Sequence, residues 1–285
     1  MRTRVRADRC PGVLRPWVAD DGLLVRLRLV GGRLPATALA RLLQVSAEFG
    51  DGSVYLTKRA NLQLRGLAGQ DGALTPDAVA ALESTGLLPS RSHELVRNIL
   101  VSPQTGYAGG RADLRPVATE LDALLCADPR LAALPGRFLF VLDDGRGDLV
   151  DRSADAGLVA LSSTAAQLRI GEHWGPVIGI DDAAARLAAL AGVFQEARGG
   201  RPDAPWHIRE LARPPQPLQA GAAADPRIPA PSGPLPFGSV PGGTHLRVPD
   251  GLLAPDQARS LLGYAELVVT PWQGVFIPQA QEANR

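Results

Sequence analysis

The stretch of this sequence best suited to bind an anion is a run of arginine and amide side chains between residues 55 and 66. Polar and apolar residues alternate along it, and the polar set is Thr57, Arg59, Asn61, Gln63 and Arg65. Alternation with a period of two predicts one β-strand that turns its apolar face to the core. The polar face would carry two guanidiniums, two amides and a hydroxyl but no carboxylate, so it offers fixed donors to an anion. The alternative is an ordinary solvated strand face.

A second cationic strand face is predicted upstream, from Leu23 to Val30. Arg26 and Arg28 alternate there with leucine and valine. A helix is predicted over 35–49, between the two strands, because its apolar residues recur at helical spacing. A β-α-β unit places such strands in one sheet, so the two cationic faces are expected to lie side by side.

Further polar residues follow a second predicted helix, which spans residues 75–88. Arg97 and Asn98 lie in the segment after it and join the arginines above as candidate binding residues. A surface built from these side chains would suit a ligand with several carboxylates, each held by a forked guanidinium.

Composition argues against several other classes of function. The chain has 285 residues and a formal net charge of only +1, which argues against nucleic-acid binding through bulk charge. Its two cysteines and four histidines show no metal-ligand spacing, so no metal site is predicted from them. No signal-peptide pattern and no apolar run of membrane-spanning length occurs, so a cytoplasmic protein without membrane contact is expected.

Part of the first region is repeated near the end of the chain. Residues 27–34 align with residues 246–253 at an offset of 219, and the helix leucines that follow align at the same offset. After a six-residue deletion, residues 56–57 align with residues 269–270. The matched order of strand, glycine turn, helix and strand favours a duplication over chance similarity in a leucine-rich chain.

The two copies differ in the residues that could bind an anion. Arg59 of the first copy is replaced by Trp272, and the two amides that follow are replaced by Gly274 and Phe276. The second copy is therefore expected to keep the architecture without the cationic face.

These features predict an α+β protein in which two ferredoxin-like half-domains are paired around an inserted α/β domain. The first half-domain is expected over residues 1–88 and the second over residues 237–285. Residues 89–212 are predicted to form the α/β domain, with a clear amphipathic helix from 181 to 198. Residues 213–236 are rich in proline and alanine and are predicted to be an extended linker.

The combined motifs resemble the siroheme-dependent nitrite/sulfite reductase family, and in particular its precorrin-3B synthase branch. The pattern Leu-Thr-x-Arg-x-Asn-x-Gln-x-Arg-Gly occupies residues 56–66, and Arg97-Asn98 and the turn Ser102-Pro103-x-x-Gly106 follow it. Further matching segments, in chain order, are Cys10-Pro11-Gly12, Phe138 to Asp144, Trp206 to Leu211, Leu235 to Gly238 and Thr270 to Gly274. The resemblance implies that the paired half-domains are of the nitrite/sulfite reductase type.

The resemblance also implies roles for individual residues. Positions that hold the carboxylate-rich tetrapyrrole, siroheme or a related macrocycle, are matched by Thr57, Arg59, Gln63, Arg97 and Asn98, and Asn61 and Arg65 belong to the same predicted surface. The predicted catalytic residues are Arg26 and Arg137, which match basic positions near the anionic substrate. Leu139 falls where the reductases carry a second lysine, which favours the corrinoid branch.

Oxidoreductase chemistry in tetrapyrrole or cobalamin metabolism is implied, with an acidic tetrapyrrole or corrinoid as the ligand. Family enzymes bind a [4Fe–4S] cluster through a later cysteine-rich segment, whereas Cys10 and Cys126 of this chain cannot supply four thiolates. The chain is therefore expected to be incomplete as an enzyme, and a cysteine-rich partner chain would restore it. The alternatives are a non-catalytic tetrapyrrole-binding protein and, last, an RNA-binding sheet, which would need exposed aromatic residues that the predicted polar faces lack.

Overall fold

The computed structural model describes residues 8–201, 203–219 and 221–279. Within these ranges the helices are α1 (Ala36–Phe49), α2 (Pro76–Ser84), α3 (Arg115–Ala127), α4 (Ala183–Arg198) and α5 (Pro255–Ser260). The first group of strands is β1 (Trp17–Ala19), β2 (Gly22–Leu27), β3 (Arg33–Pro35), β4 (Val54–Leu56), β5 (Leu62–Leu67), β6 (Gly69–Gln70) and β7 (Ala73–Leu74). The strands that follow are β8 (Ile99–Val101), β9 (Phe140–Asp143), β10 (Ala156–Ala160), β11 (Ala165–Ile170), β12 (His173–Gly179), β13 (Gly238–Val240), β14 (Gly243–Arg247), β15 (Leu252–Leu253), β16 (Glu266–Thr270) and β17 (Gly274–Pro278).

The chain divides into two compact units. Unit 1 contains residues 1–10, 90–102 and 110–233, and unit 2 contains residues 11–89, 103–109 and 234–285. The described part of unit 2 holds both copies of the duplicated region, so the inserted segment of the sequence forms most of unit 1.

Unit 2 contains two five-stranded sheets with the same strand order. The first sheet runs β1-β2-β5-β4-β15 and the second runs β13-β14-β17-β16-β3. Each sheet takes its last strand from the other copy: Leu253 of β15 lies opposite Val54 of β4, and Leu34 of β3 lies opposite Leu267 of β16. The fold class is therefore confirmed, because the two ferredoxin-like halves are packed together and exchange an edge strand.

Unit 1 is a single mixed sheet covered by two helices. Its strand order is β12-β11-β10-β9-β8. Strands β8, β9 and β10 are parallel, and β11 pairs antiparallel with both β10 and β12. Helices α3 and α4 pack against each other and against β8 and β10. Phe138, Phe140 and Phe194 form an aromatic cluster that is fully buried between sheet and helix.

One prediction about the cationic stretch is wrong. Residues 55–66 do not form one strand, because the chain turns at residues 57–61 between β4 and β5. Ala60 adopts a positive φ of 55° in this turn, which a continuous strand does not allow. The period-two pattern continued through the turn, so alternation alone did not reveal the hairpin.

Two further expectations need correction or extension. The strand predicted from Leu23 ends at Leu27, and Arg28 is buried rather than facing outward, with its Nη1 donating to the carbonyl oxygens of Pro11 and Arg26. Much of the segment predicted as a linker packs on unit 1, where the Ala222 amide bonds the Trp174 carbonyl and the Asp225 amide bonds Gln167.

Candidate functional site

The outer face of the first sheet of unit 2 carries a polar row. In the strand register Arg26 lies opposite Gln63, Gln63 opposite Tyr55, and Tyr55 opposite Leu252, so all four side chains share one face. Arg26 Nη2 donates to Gln63 Oε1 at 3.3 Å, which links two neighbouring strands. The first three side chains are half-buried and Leu252 is exposed, so this face is partly open.

The same face of the second sheet is closed. Its equivalent row is His245, Phe276, Val268 and Arg33, and His245 and Phe276 are fully buried. Phe237 stacks on the His245 ring at 4.4 Å, and Tyr107 meets the Phe276 ring at 5.8 Å. In the second copy, aromatic side chains of the same chain therefore cover this face. In the first copy, the equivalent face is polar and partly open.

The turn between β4 and β5 presents Arg59. Thr57 Oγ1 accepts hydrogen bonds from the amides of Arg59 and Asn61, and the Thr57 amide donates to the Asn61 carbonyl. The side chain of Asn61 is buried and its Oδ1 accepts from the Leu29 amide at 2.9 Å, which ties the turn to the end of β2. Thr57 and Asn61 thus shape the turn, and Arg59 is the half-buried cation within it.

Arg65 has a carboxylate partner on the same unit. Its Nε lies 3.0 Å from Asp21 Oδ2, and this bond holds the pKa of Asp21 below its usual value. Tyr55 OH donates to Asp51 at 2.6 Å, which raises the pKa of the phenol to about 12. Tyr55 lies on the polar face, and Trp17 of the edge strand β1, which is 40% exposed, lies opposite Leu24 on the same face. The expectation that the face lacks aromatic residues is therefore wrong.

Arg97 and Asn98 lie in unit 1, immediately before β8. Arg97 donates from Nε and Nη2 to the two carboxylate oxygens of Asp122, at 2.5 and 2.8 Å, and its side chain is buried. Asn98 is also buried, and its Nδ2 donates to the carbonyl oxygens of Leu95 and Gly136. Both side chains therefore hold the start of the sheet together.

Arg137 lies just before β9, which is parallel to β8, so Arg137 and Arg97 both lie at the amino-terminal ends of their strands. Its side chain is 48% exposed, and its guanidinium carbon stacks 4.8 Å from the centre of the Trp206 ring. The nearest acidic oxygen among the described residues is Asp8 Oδ1, at 3.9 Å from Nε, which is too long for a hydrogen bond.

Strand β9 leads at its carboxyl-terminal end into an acidic loop, which was not predicted from the sequence as a candidate site. One oxygen each of Asp143, Asp144 and Asp148 lie within 4.8 Å of one another, a separation at which three carboxylates can hold a cation. Each is already engaged: Asp143 accepts from the backbone amides of its own loop, Asp144 pairs with Arg146, and Asp148 accepts from Ser102. Burial and the adjacent Asp143 raise the pKa of Asp148 to about 7.

Comparison with known proteins identifies the fold of unit 2. Residues 19–73 match the family model described as the nitrite/sulfite reductase ferredoxin-like half domain. The structure of Mycobacterium tuberculosis NirA protein superposes with a TM-score of 0.69 at 18% identity, over 96% of this chain and 60% of that one.

Two curated relatives match at higher identity. A precorrin-3B synthase from Sinorhizobium sp is 32% identical over 163 residues, which are 56% of this chain and 34% of that protein. A ferredoxin–nitrite reductase from Synechococcus elongatus is 31% identical over 146 residues, 49% of this chain and 28% of that protein. The matched regions thus span about a third of each curated relative.

Residues 19–73 are a ferredoxin-like half-domain of the nitrite/sulfite reductase type, and the identical strand order of the second sheet shows that the second copy repeats its topology. About half of the chain resembles precorrin-3B synthase and ferredoxin–nitrite reductase in sequence, and nearly all of it has the fold of NirA, which confirms the resemblance to the nitrite/sulfite reductase family found in the sequence. None of the described helices has the length and apolar character needed to cross a membrane.

Proposed function

We propose that this chain is the tetrapyrrole-binding part of an oxidoreductase similar to precorrin-3B synthase or the siroheme reductases. The ligand would be an acidic tetrapyrrole or corrinoid bound on the polar face of the first sheet of unit 2. Arg26, Gln63 and Arg59 would hold its carboxylates, since forked donors bind carboxylates in bidentate fashion. Tyr55 and Leu252 would contact its flat apolar body.

The observation that supports this proposal most strongly is the difference between the two copies. Phe237 and Tyr107 close the second face, and its row contains His245 and Phe276 where the first contains Arg26 and Gln63. A face needed only for folding would be expected to close in the same way in both copies, because burial of apolar surface stabilises the fold. The first face instead keeps polar side chains in a partly open position.

The residues present fit the two cofactors of the family unequally. A siroheme-type macrocycle fits the polar face, and when bound it would supply the iron centre of the chemistry. A [4Fe–4S] cluster does not fit these 285 residues on their own, because Cys10 and Cys126 provide two thiols and four protein ligands are needed. We therefore infer that the cluster ligands would come from cysteines outside these 285 residues, such as those of a cysteine-rich partner chain, and that these residues alone bind the tetrapyrrole without turning it over.

Titration with siroheme, followed by absorbance, tests the proposal. The Arg59→Ala variant should bind about 10- to 100-fold more weakly, because a hydrogen bond to a charged group contributes about 1.5–3 kcal/mol. Added salt should also weaken binding, since charge pairs on a partly open face are screened.

Arg247→Ala is the matched control, because Arg247 is exposed on β14 of the second copy and its loss changes the net charge equally. Equal affinity of the Arg59→Ala variant and the wild type would refute the proposed site. A similar loss of affinity in the Arg247→Ala variant would mean that only bulk charge is sensed.

A further inference from the structure

The polar face of the first sheet of unit 2 ends beside a turn that belongs to the second copy. Leu252 on the edge strand β15 is the last residue of the polar row, and Gly251 precedes it. A Cβ added to Gly251 would lie 2.7 Å from Nε2 of Gln273, which belongs to the turn between β16 and β17. This turn, at residues 270–274, also carries Trp272 and therefore borders the β15 edge of the polar face.

The turn at residues 270–274 is the structural counterpart of the turn that presents Arg59. Gln273 has a φ of 56°, and Ala60 has a φ of 55° at the same position of the first turn. Trp272 precedes Gln273 just as Arg59 precedes Ala60. The indole and the guanidinium therefore occupy equivalent positions in the two copies.

Close contacts between the copies bring the two turns to one end of unit 2. A Cβ on Gly251 would clash with the carbonyl oxygen of Leu56, which directly precedes the first turn. In the same way, a Cβ on Gly32 would clash with the carbonyl oxygen of Val269, which directly precedes the second turn. The same end of unit 2 thus presents a cation from one copy and an indole from the other.

The Trp272 ring is half-buried, and a buried histidine supports it. The ring centres of Trp272 and His245 lie 6.3 Å apart in an edge-to-face arrangement. His245 Nε2 lies 2.9 Å from Thr270 Oγ1, and His245 Nδ1 lies 3.1 Å from the carbonyl oxygens of Leu235 and Pro236. Both nitrogens are engaged, so the imidazole is fixed and holds the indole while part of the indole stays accessible.

We propose that Trp272 is a stacking residue of the ligand site, contributed by the second copy. Its indole packs on the conjugated body of the tetrapyrrole while Arg59 binds one of the carboxylates. This inference rests on the proposed function for the class of ligand and adds a specificity to it. Offset stacking of two π systems contributes beyond the burial of area, so a flat aromatic acid should bind better than a non-planar acid with the same carboxylates.

Two probes with the same four carboxylates test the stacking. Coproporphyrin is planar and aromatic, whereas its reduced form, coproporphyrinogen, is neither, and both are titrated into the full chain by calorimetry without oxygen. Trp272→Ala should weaken coproporphyrin binding about two- to tenfold, the range expected for the loss of an aromatic pair, and Trp272→Phe should recover most of the affinity. Coproporphyrinogen binding should change by less than about twofold, because it offers no planar π system to stack. Arg59→Ala should weaken the binding of both probes, because both present carboxylates.

Trp174→Ala is the matched control, because Trp174 is also half-buried but lies in unit 1, where it stacks on Arg169. It should leave the affinity for both probes unchanged, and a loss as large as that of Trp272→Ala would count against a specific role of Trp272.

Unchanged coproporphyrin affinity in Trp272→Ala, or an equal loss for both probes, would overturn the stacking role, while weaker binding by Arg59→Ala would still support the proposed function. If the wild type binds neither probe, both proposals fail. Should circular dichroism show that Trp272→Ala does not fold, Trp272→Leu and Trp272→Phe replace it. Tighter coproporphyrin binding by the phenylalanine variant would then support the stacking role, and equal affinities would overturn it.

Discussion

At the residue scale, the polar side chains of the first hairpin divide into two groups. Asn61 is buried and accepts from the Leu29 amide just beyond the end of β2, whereas Arg59 and Gln63 are half-buried and lie at the partly open surface. The motif that links them in sequence therefore combines residues that shape the hairpin with residues that can reach a ligand.

We expect Asn61→Ala to destabilise unit 2 by about 1–3 kcal/mol, because it leaves the buried Leu29 amide without its acceptor. Urea unfolding followed by circular dichroism measures this change. Gln63→Ala on the same hairpin is the control, and it should lower tetrapyrrole affinity with a much smaller loss of stability. If Asn61→Ala unfolds at the wild-type midpoint and only weakens binding, Asn61 is a ligand-binding residue rather than a structural one.

Asp148 predicts a pH dependence of stability in unit 1. Its pKa in the folded state is raised from 3.8 to about 7, so between these values the folded state binds a proton that the unfolded state has released. The stabilisation is present below about pH 4 and is lost as the pH rises through 7, with a slope of up to about 1.4 kcal/mol per pH unit.

The Asp148→Asn variant should lose this slope, and Asp151→Asn, which changes an exposed carboxylate nearby, should keep it. Unfolding free energies measured from pH 4 to pH 7 check both expectations. Parallel pH profiles for the wild type and Asp148→Asn would show that Asp148 does not hold the proton.

At the scale of elements, two glycines mark where the copies interlock. Gly32 precedes β3 and Gly251 precedes β15, and both adopt a φ of +74°. A Cβ on Gly32 would lie 2.1 Å from the Val269 carbonyl oxygen, and a Cβ on Gly251 would lie 2.5 Å from the Leu56 carbonyl oxygen. Each glycine thus lets its turn pass against the backbone of the other copy.

Gly32→Ala and Gly251→Ala should each lower stability by about 2–4 kcal/mol, because a strained φ and a backbone clash add together. Gly52→Ala is the control, since Gly52 has a φ of +81° with nothing within 4 Å of the added carbon, and it should cost only about 1 kcal/mol. Thermal unfolding of the three variants gives the comparison. Equal losses at all three positions would contradict a close approach between the copies.

At the scale of the whole molecule, the strand exchange should make the two halves of unit 2 one cooperative unit. Opening either sheet breaks pairs that involve the other half, since β4 bonds β15 and β16 bonds β3. Native-state hydrogen exchange should therefore show the same opening free energy and denaturant dependence for amides of β5 and β17. The β8–β12 sheet of unit 1 is the internal reference. Different opening energies for β5 and β17 would mean that the halves unfold separately.

Much of this architecture could be predicted from the sequence. Helices α1 and α4 follow from apolar residues at helical spacing, and the duplication follows from the aligned glycine turns and strands. The half-domain type was also reached from the motif at residues 56–66, which lies within the region that the family model matches. These features are local or repeated, so a single chain displays them directly.

Other features were decided only by tertiary structure, because they depend on which distant residues meet. The hairpin at residues 57–61 and the burial of Arg28 follow from non-local pairing that a period-two pattern does not encode. The closing of the second face by Tyr107 and Phe237 joins residues far apart in sequence.

The sequence alone thus determined the type of the half-domains, their repetition and the positions of the arginines along the chain. The tertiary structure decided which guanidiniums donate to a carboxylate, as Arg97 does to Asp122, and which stack on an aromatic ring, as Arg137 does on Trp206. The physical reason is that a guanidinium pairs with whichever carboxylate the fold brings within about 3 Å, and that distance is set by the packing of distant segments rather than by spacing along the chain.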